Sequence, residues 1–189
     1  MSRLDLIAGP NGAGKTTFYE RVIAPDRPGL PFVNADRIAS DRFPGRELEQ
    51  AYPASKIAAA ARDALIAARI DFCAETVFSH ASKVNLVATA ATAGYDIVLH
   101  VVMIPQALSG PRVAARVASG GHDVPADKLA SRYGRLWPHI AAAVPQCHRA
   151  VFYDNAADDG PTEVASYRYG VADYPPRWPR WTPEPLLAL

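Results

Sequence analysis

At 189 residues the chain has the length of one domain, with room for a proper hydrophobic core. A hydrophobic fraction of 49%, a charged fraction of 21% and a net charge of +1 are those of a globular protein and give bulk electrostatics no reason to attract nucleic acid. No apolar run reaches membrane-spanning length, no signal-peptide pattern opens the chain, and Cys73 and Cys147 are too few and too far apart for a metal site or disulfide framework, so a cytoplasmic protein is expected.

The first predicted element is an apolar strand through Leu4, Leu6, Ile7 and Ala8. It runs into Gly9-Pro10-Asn11-Gly12-Ala13-Gly14-Lys15-Thr16, which fits G-x-x-x-x-G-K-[ST] at every fixed position, and a helix over 16–22 runs out. That strand–loop–helix setting separates a phosphate-binding loop from a glycine-rich turn that happens to precede a helix. Glycines let the backbone wrap closely round a phosphate. Successive N–H groups from Gly9 to Thr17 would then point inward, with the positive end of the helix behind them. Lys15 is expected to reach the β- and γ-phosphates of a nucleoside triphosphate, ATP in the first instance, and the Thr16 hydroxyl to ligate Mg²⁺.

A Pro/Gly-rich passage over 25–31 leads to a short strand over 31–33 that ends at Asn34-Ala35-Asp36-Arg37. Residues 42–53 read as irregular. An alanine-rich helix over 54–69 follows, with Ile57, Ala61, Leu65 and Ala68 on one face. A third strand over 70–74 ends at Glu75-Thr76, and a helix over 82–93 stops at Gly94. The fourth strand, 96–104, is nearly all apolar and β-branched, as a strand buried on both faces should be. Ser109 and Pro111 mark the start of a helix that Gly120-Gly121 terminates. A further helix over 125–144 is expected to kink near Pro138. The fifth strand, 150–153, ends at Asp154-Asn155, and the Pro/Trp-rich tail over 160–189 is expected to pack on the same domain. This alternation predicts an α/β, three-layer P-loop NTPase fold of the kinase-like kind, one domain over 1–189 with a mostly parallel sheet of about five strands.

In such sheets ligands bind outside the carboxyl ends of the strands, where the polar residues of this chain collect. Asp36 could take the proton of a hydroxyl attacking the γ-phosphate, or simply cap the helix after it. Glu75 ends an apolar strand, where a carboxylate needs a cation: Mg²⁺ through water, a substrate group, or a structural ion pair. Arg112 and Arg116 share one helix face, and Arg132 lies on the next helix. They bracket a glycine loop carrying His122, an arrangement suited to closing positive charge over a triphosphate, although solvated helix faces would look alike.

These residues together resemble the zeta-toxin family of P-loop kinases, in its short single-domain form. The likeness covers residues from Leu4 to about Asn155 and rests on the P-loop, Val33-Asn34-Ala35-Asp36-Arg37, Phe72-Cys73-Ala74-Glu75-Thr76, Ala93-Gly94-Tyr95, and the Arg112-x-x-x-Arg116-Val117-x-x-Gly120-Gly121-His122 segment with Arg132-Tyr133. The resemblance implies a kinase using ATP and Mg²⁺, with UDP-N-acetylglucosamine, phosphorylated at its 3′-hydroxyl, as the well-known family acceptor. It implies Asp36 as catalytic base, Lys15 and Thr16 as phosphate and Mg²⁺ contacts, and Glu75 as a substrate-side carboxylate that also serves the metal. Asn34, Thr76 and His122 fall on the substrate side. Arg116 matches the first of two γ-phosphate arginines, and Arg132 is the nearest replacement for the second. A cognate antitoxin is a candidate partner.

The chain departs from the larger toxins where their second arginine falls, and their sugar-nucleotide contacts have no residue-by-residue match here. The first expectation is therefore an ATP-dependent kinase of a small hydroxyl-bearing metabolite. The alternatives are a nucleoside, nucleotide or polynucleotide-end kinase, and a nucleotide-binding switch without transfer activity.

Overall fold

The computed structural model describes residues 1–118 and 124–189. Seven strands form one sheet in the order β2-β3-β1-β4-β5-β6-β7: Arg3–Ala8 (β1), Phe32–Val33 (β2), Phe72–Thr76 (β3), Asp96–Met103 (β4), Arg149–Asp154 (β5), Thr162–Arg168 (β6) and Val171–Ala172 (β7). The first five run parallel to their neighbours, and β6 and β7 are antiparallel additions. The five expected strands are thus present, and the two extra ones come from the tail. Arg149 donates to Ser166 and Ser166 to Asp173, which ties the added hairpin to β5. The Trp178 ring meets Phe152 edge-on at 5.2 Å.

Side chains alternate across β1 because successive Cβ atoms point to opposite faces. Leu4, Leu6 and Ala8 join the larger core cluster, where Ile66 from α3 (Ala51–Ala67), Val87 from α4 (Ser82–Thr92) and Trp137 from α6 (Ala126–Ala143) pack. Ile7 faces the smaller cluster, with Phe18 from α1 (Lys15–Phe18), Ile23 from the π-helical turn Tyr19–Ile23 that continues it, and Leu108 from α5 (Gln106–Ala118). Helices on both faces make three layers. Among the described residues the other α-helices are α2 (Ala35–Arg42) and the short α7 (Glu184–Leu187), which packs on α6.

Several element boundaries differ from those expected. α3 starts three residues earlier, because Pro53 sits in its first turn, where a missing N–H costs nothing. Its buried stripe is Ala54, Ala58, Arg62 and Ile66, displaced from the expected face because the core lies under the small alanines and Arg62. α5 begins at Gln106, directly after β4, with Ser109 and Pro111 inside it. Pro138 lies within α6, which continues as one helix to Ala143. After α4, Gly94 and Tyr95 donate back to Ala91 and Ala90, closing the helix where Gly94 was expected to close it.

A buried charge cluster lies on β1 beneath the smaller core. Asp5 is fully buried and meets Arg3 at 2.6 Å, Arg27 at 2.6 Å and His100 Nε2 at 3.1 Å. Burial pushes its carboxyl up, but the hydrogen bonds and charge of His100 and Arg3 outweigh that and hold it at about 2. Burial raises the thiols of Cys73 and Cys147, the latter to about 12, so both behave as small hydrophobes. No described helix is long and apolar enough to cross a membrane.

Candidate active site

The P-loop leaves β1 at the centre of the sheet and is held by backbone fit. A Cβ added at Gly9 would lie 2.2 Å from the Val102 carbonyl oxygen of β4, so only glycine allows this approach. Gly12 is packed against α5, where an added Cβ would meet Ser109 O at 3.0 Å and Arg112 Cβ at 3.1 Å. Ser109 donates to Asn11 O at 2.7 Å, and the Asn155 amide donates to Ala13 O at 2.8 Å. Arg112 in turn donates to the carbonyls of Asn155 and Ala156 at 2.8 and 3.0 Å. The loop's shape is therefore set from outside, by α5 and the segment following β5.

Inside the loop, the buried Lys15 ammonium donates to Pro10 O at 2.9 Å and stands 3.9 Å from Glu75. Glu75 Oε2 also accepts from Thr16 Oγ1 at 2.8 Å and from Asn34 Nδ2 at 2.7 Å. One carboxylate at the end of β3 thus joins the P-loop lysine, the P-loop threonine and the residue after β2. Burial pushes the Lys15 ammonium below its ordinary value; Glu75 and Asp36 pull it back up, and Arg116 and Arg132 add to the depression. These four charges are therefore all within electrostatic reach of Lys15.

Asn34 is the N-cap of α2, its Oδ1 accepting from Asp36 N at 2.7 Å and Arg37 N at 3.2 Å. The capping alternative raised for Asp36 thus falls to its neighbour. Asp36 stands in the first turn, where the helix dipole favours an anion, and its carboxylate faces an open cleft. Thr76 Oγ1 accepts from Phe78 N at 3.2 Å. The cleft, about 320 Å³, takes in Lys15, Asn34, Asp36, Glu75, Thr76, Arg116 and Arg132 together.

A family model described as an AAA domain matches residues 4–136, well over half the chain. The chain belongs to this AAA-domain family. No curated protein matches the sequence. Among solved structures, the AvrRxo1-ORF1:-ORF2 complex superposes with a TM-score of 0.73 at 16% identity over 92% of this AAA-domain chain, and was also solved with ATP. The chain spans 60% of the length of that structure. The PezAT chromosomal toxin-antitoxin system of Streptococcus pneumoniae gives 0.61 at 14% identity, covering 82% of this chain and 67% of the other. The Pnkp1/Rnl/Hen1 RNA repair complex gives 0.56 at 22% identity, covering 71% and 44%. At these identities the likeness is one of fold, a P-loop kinase-like α/β fold.

Within this AAA-domain protein the sequence-predicted residues divide. Gly9 to Thr16, Asn34, Asp36, Glu75, Thr76, Arg116 and Arg132 gather at the loop or in the cleft. Thr17 is exposed on the outgoing helix, and Arg112 reaches the segment after β5 rather than the cleft. His122, with Gly120 and Gly121, lies outside the described residues. Asn155, expected only as one of the strand-end polar residues near the loop, and Ser109, expected only to start a helix, both pin the loop, whereas sequence reasoning gave no role to Arg62, His80 and Lys83, which line the cleft. Arg62 was readable in principle as the odd member of an Ala54, Ala58, Ile66 stripe at helical spacing.

Proposed function

We propose that this protein is an ATP-dependent kinase that transfers the γ-phosphoryl group to a hydroxyl of a small molecule in the cytoplasm. The observation that carries the reading is the bridge by which Glu75 holds Lys15, Thr16 and Asn34, with the Asp36 carboxylate facing the same cleft. The P-loop N–H groups and Lys15 would cradle the phosphates. Thr16 and Glu75, 2.8 Å apart, fit the role of Mg²⁺ contacts, since that ion usually takes only one or two protein ligands beside phosphate and water. When bound, the ion would neutralise charge shared between the β- and γ-oxygens.

Asp36 accepts the proton of the acceptor hydroxyl as its oxygen attacks phosphorus. Arg116 and Arg132 supply positive charge at the equatorial oxygens of the transferred group, where charge concentrates in the transition state. Asn34 holds the Glu75 carboxylate with its amide and the backbone from which Asp36 projects with its oxygen. Arg112 supports the loop from behind. The zeta-type likeness of the motifs makes a sugar nucleotide, UDP-N-acetylglucosamine, the first acceptor to try, and the complexes named in the AvrRxo1 and PezAT structures make an antitoxin-like partner worth seeking.

The test is transfer from γ-labelled ATP with Mg²⁺ to UDP-N-acetylglucosamine, then to a panel of nucleosides, nucleotides and oligonucleotide ends. Label should move with wild-type protein, fall about a hundredfold or more with Asp36→Asn while ATP still binds, and vanish with Lys15→Ala. ATP binding with no labelled acceptor across the panel would replace the kinase with a nucleotide-binding switch.

A further inference from the structure

The cleft continues past Asp36 to a wall that the phosphoryl-transfer chemistry does not use. Its residues come from three elements: Arg62 from the middle of α3, Lys83 from the first turn of α4, and His80 from the segment joining β3 to α4. We infer that Arg62, Lys83 and His80 form a second anion subsite, which takes a phosphoryl group carried by the acceptor.

Arg62 is the central observation. It is 6% exposed on a helix stripe otherwise made of Ala54, Ala58 and Ile66, and none of the described residues gives its guanidinium a hydrogen bond or ion pair. Buried arginines are ordinarily paired, because the desolvated charge is costly without a partner. The small residues Ala51, Ser55 and Ala58 of the same helix line the cleft beside it, where a larger side chain would fill the space.

Lys83 adds a second cation within electrostatic reach of the first. Burial and then Arg62 push its ammonium below the ordinary value, so the two charges repel as the chain stands. Lys83 also occupies the first turn of α4, which has no acidic residue there; that end of a helix disfavours cations. A bound dianion would reverse both penalties.

His80 is oriented for the same task. Its Nδ1 accepts from Ser82 N at 3.1 Å, which places the proton of the neutral ring on Nε2 and leaves Nε2 a donor. The segment is shaped with strain: Phe78, fully buried, holds φ 67°, a conformation that a bulky side chain disfavours. Among the described residues of the cleft six lysines and arginines face three carboxylates, of which Glu75 is already engaged by Lys15, Thr16 and Asn34. The ATP γ-phosphate accounts for the cations at one end only.

The subsite stands on these contacts alone; assigning its occupant to the acceptor rests on the kinase reading. The experiment separates the two. In a Lys15→Ala background, which disables the P-loop, inorganic phosphate and ribose 5-phosphate are titrated by calorimetry and by the shifts of arginine Nε–H signals. Each ligand should bind, and Arg62→Gln should weaken that binding at least tenfold. Lys83→Gln, at a half-buried position that tolerates change, should weaken it severalfold, and Arg62→Lys should restore part of the loss. Phosphate and ribose 5-phosphate binding within twofold of the parent in both Arg62→Gln and Lys83→Gln overturns the subsite. Binding of inorganic phosphate without ribose 5-phosphate overturns the acceptor-borne assignment. Neither result touches the γ-phosphate transfer assay, whose failure would remove the kinase reading and leave the subsite standing.

Discussion

The two walls of the cleft are built in opposite ways. The nucleotide wall is backbone, folded tightly and pinned from behind by Ser109, Asn155 and the carbonyl of Val102. The wall proposed to take the acceptor is side chain, with Asp36, Arg62 and Lys83 projecting from three separate helices. Backbone can hold any nucleoside triphosphate because phosphates are alike, whereas side chains must match one acceptor. On the kinase reading proposed above, the general half of the reaction would reside in a loop, and the specific half in helices free to vary.

The strongest way to break this contrast is to put a side chain where only backbone fits. Gly9→Ala places a methyl group 2.2 Å from Val102 O, and should cost about 3 kcal/mol or more, measured by denaturant unfolding, and abolish ATP binding. Asp36→Ala, on the other wall, should leave ATP affinity within twofold in calorimetry. Equal loss in both would mean that the walls are not separate. Glu75→Gln tests the point where they join. Removing charge from the carboxylate that holds Lys15, Thr16 and Asn34 should slow transfer about 10- to 100-fold, as loss of an orienting partner commonly does.

Acid should act on the nucleotide wall from below. Asp5 is held at about 2 against an ordinary 3.8, so it binds protons less readily folded than unfolded. Its contribution is complete above the ordinary value and is lost as pH falls through the folded value, in the window from about 4 to 2. The shift corresponds to about 2 kcal/mol. Urea titrations across that window should show the loss, and Asp5→Asn should remove it. The smallest effect expected is that of Asn155→Ala, which leaves Ala13 O without its 2.8 Å donor. About 1 kcal/mol, or roughly fivefold weaker ATP binding with acceptor affinity unchanged, is the expected result.

What could be read from the sequence follows the same division. A loop whose backbone must approach a phosphate and a neighbouring strand needs glycine at fixed positions, so Gly9 to Thr16 are legible as letters. Strand-end residues such as Asn34, Glu75 and Thr76 are legible because parallel topology brings strand ends together. Arg62 and Lys83 obey no spacing rule, being 21 residues apart in the chain, on two different helices, and joined only by the cleft that both line. Ala58, one turn before Arg62, looked like a helix former and proved to line the cleft. The tail was opaque for a related reason: its prolines and tryptophans hid the strand Thr162–Arg168, whose pairing depends on β5.

The position of β1 has a consequence for how the chain comes to life on the ribosome. The strand made first is the centre of the sheet, flanked by β3 and β4, whose residues emerge long afterwards. The amide that closes the P-loop is supplied by Asn155, 142 residues downstream of the carbonyl it binds. Contacts so distant in sequence form late, because the intervening loop must close first. Within this sheet the P-loop is thus synthesised early and completed late, so a nascent chain should not hold ATP with full affinity until β5 and the residues after it have left the exit tunnel.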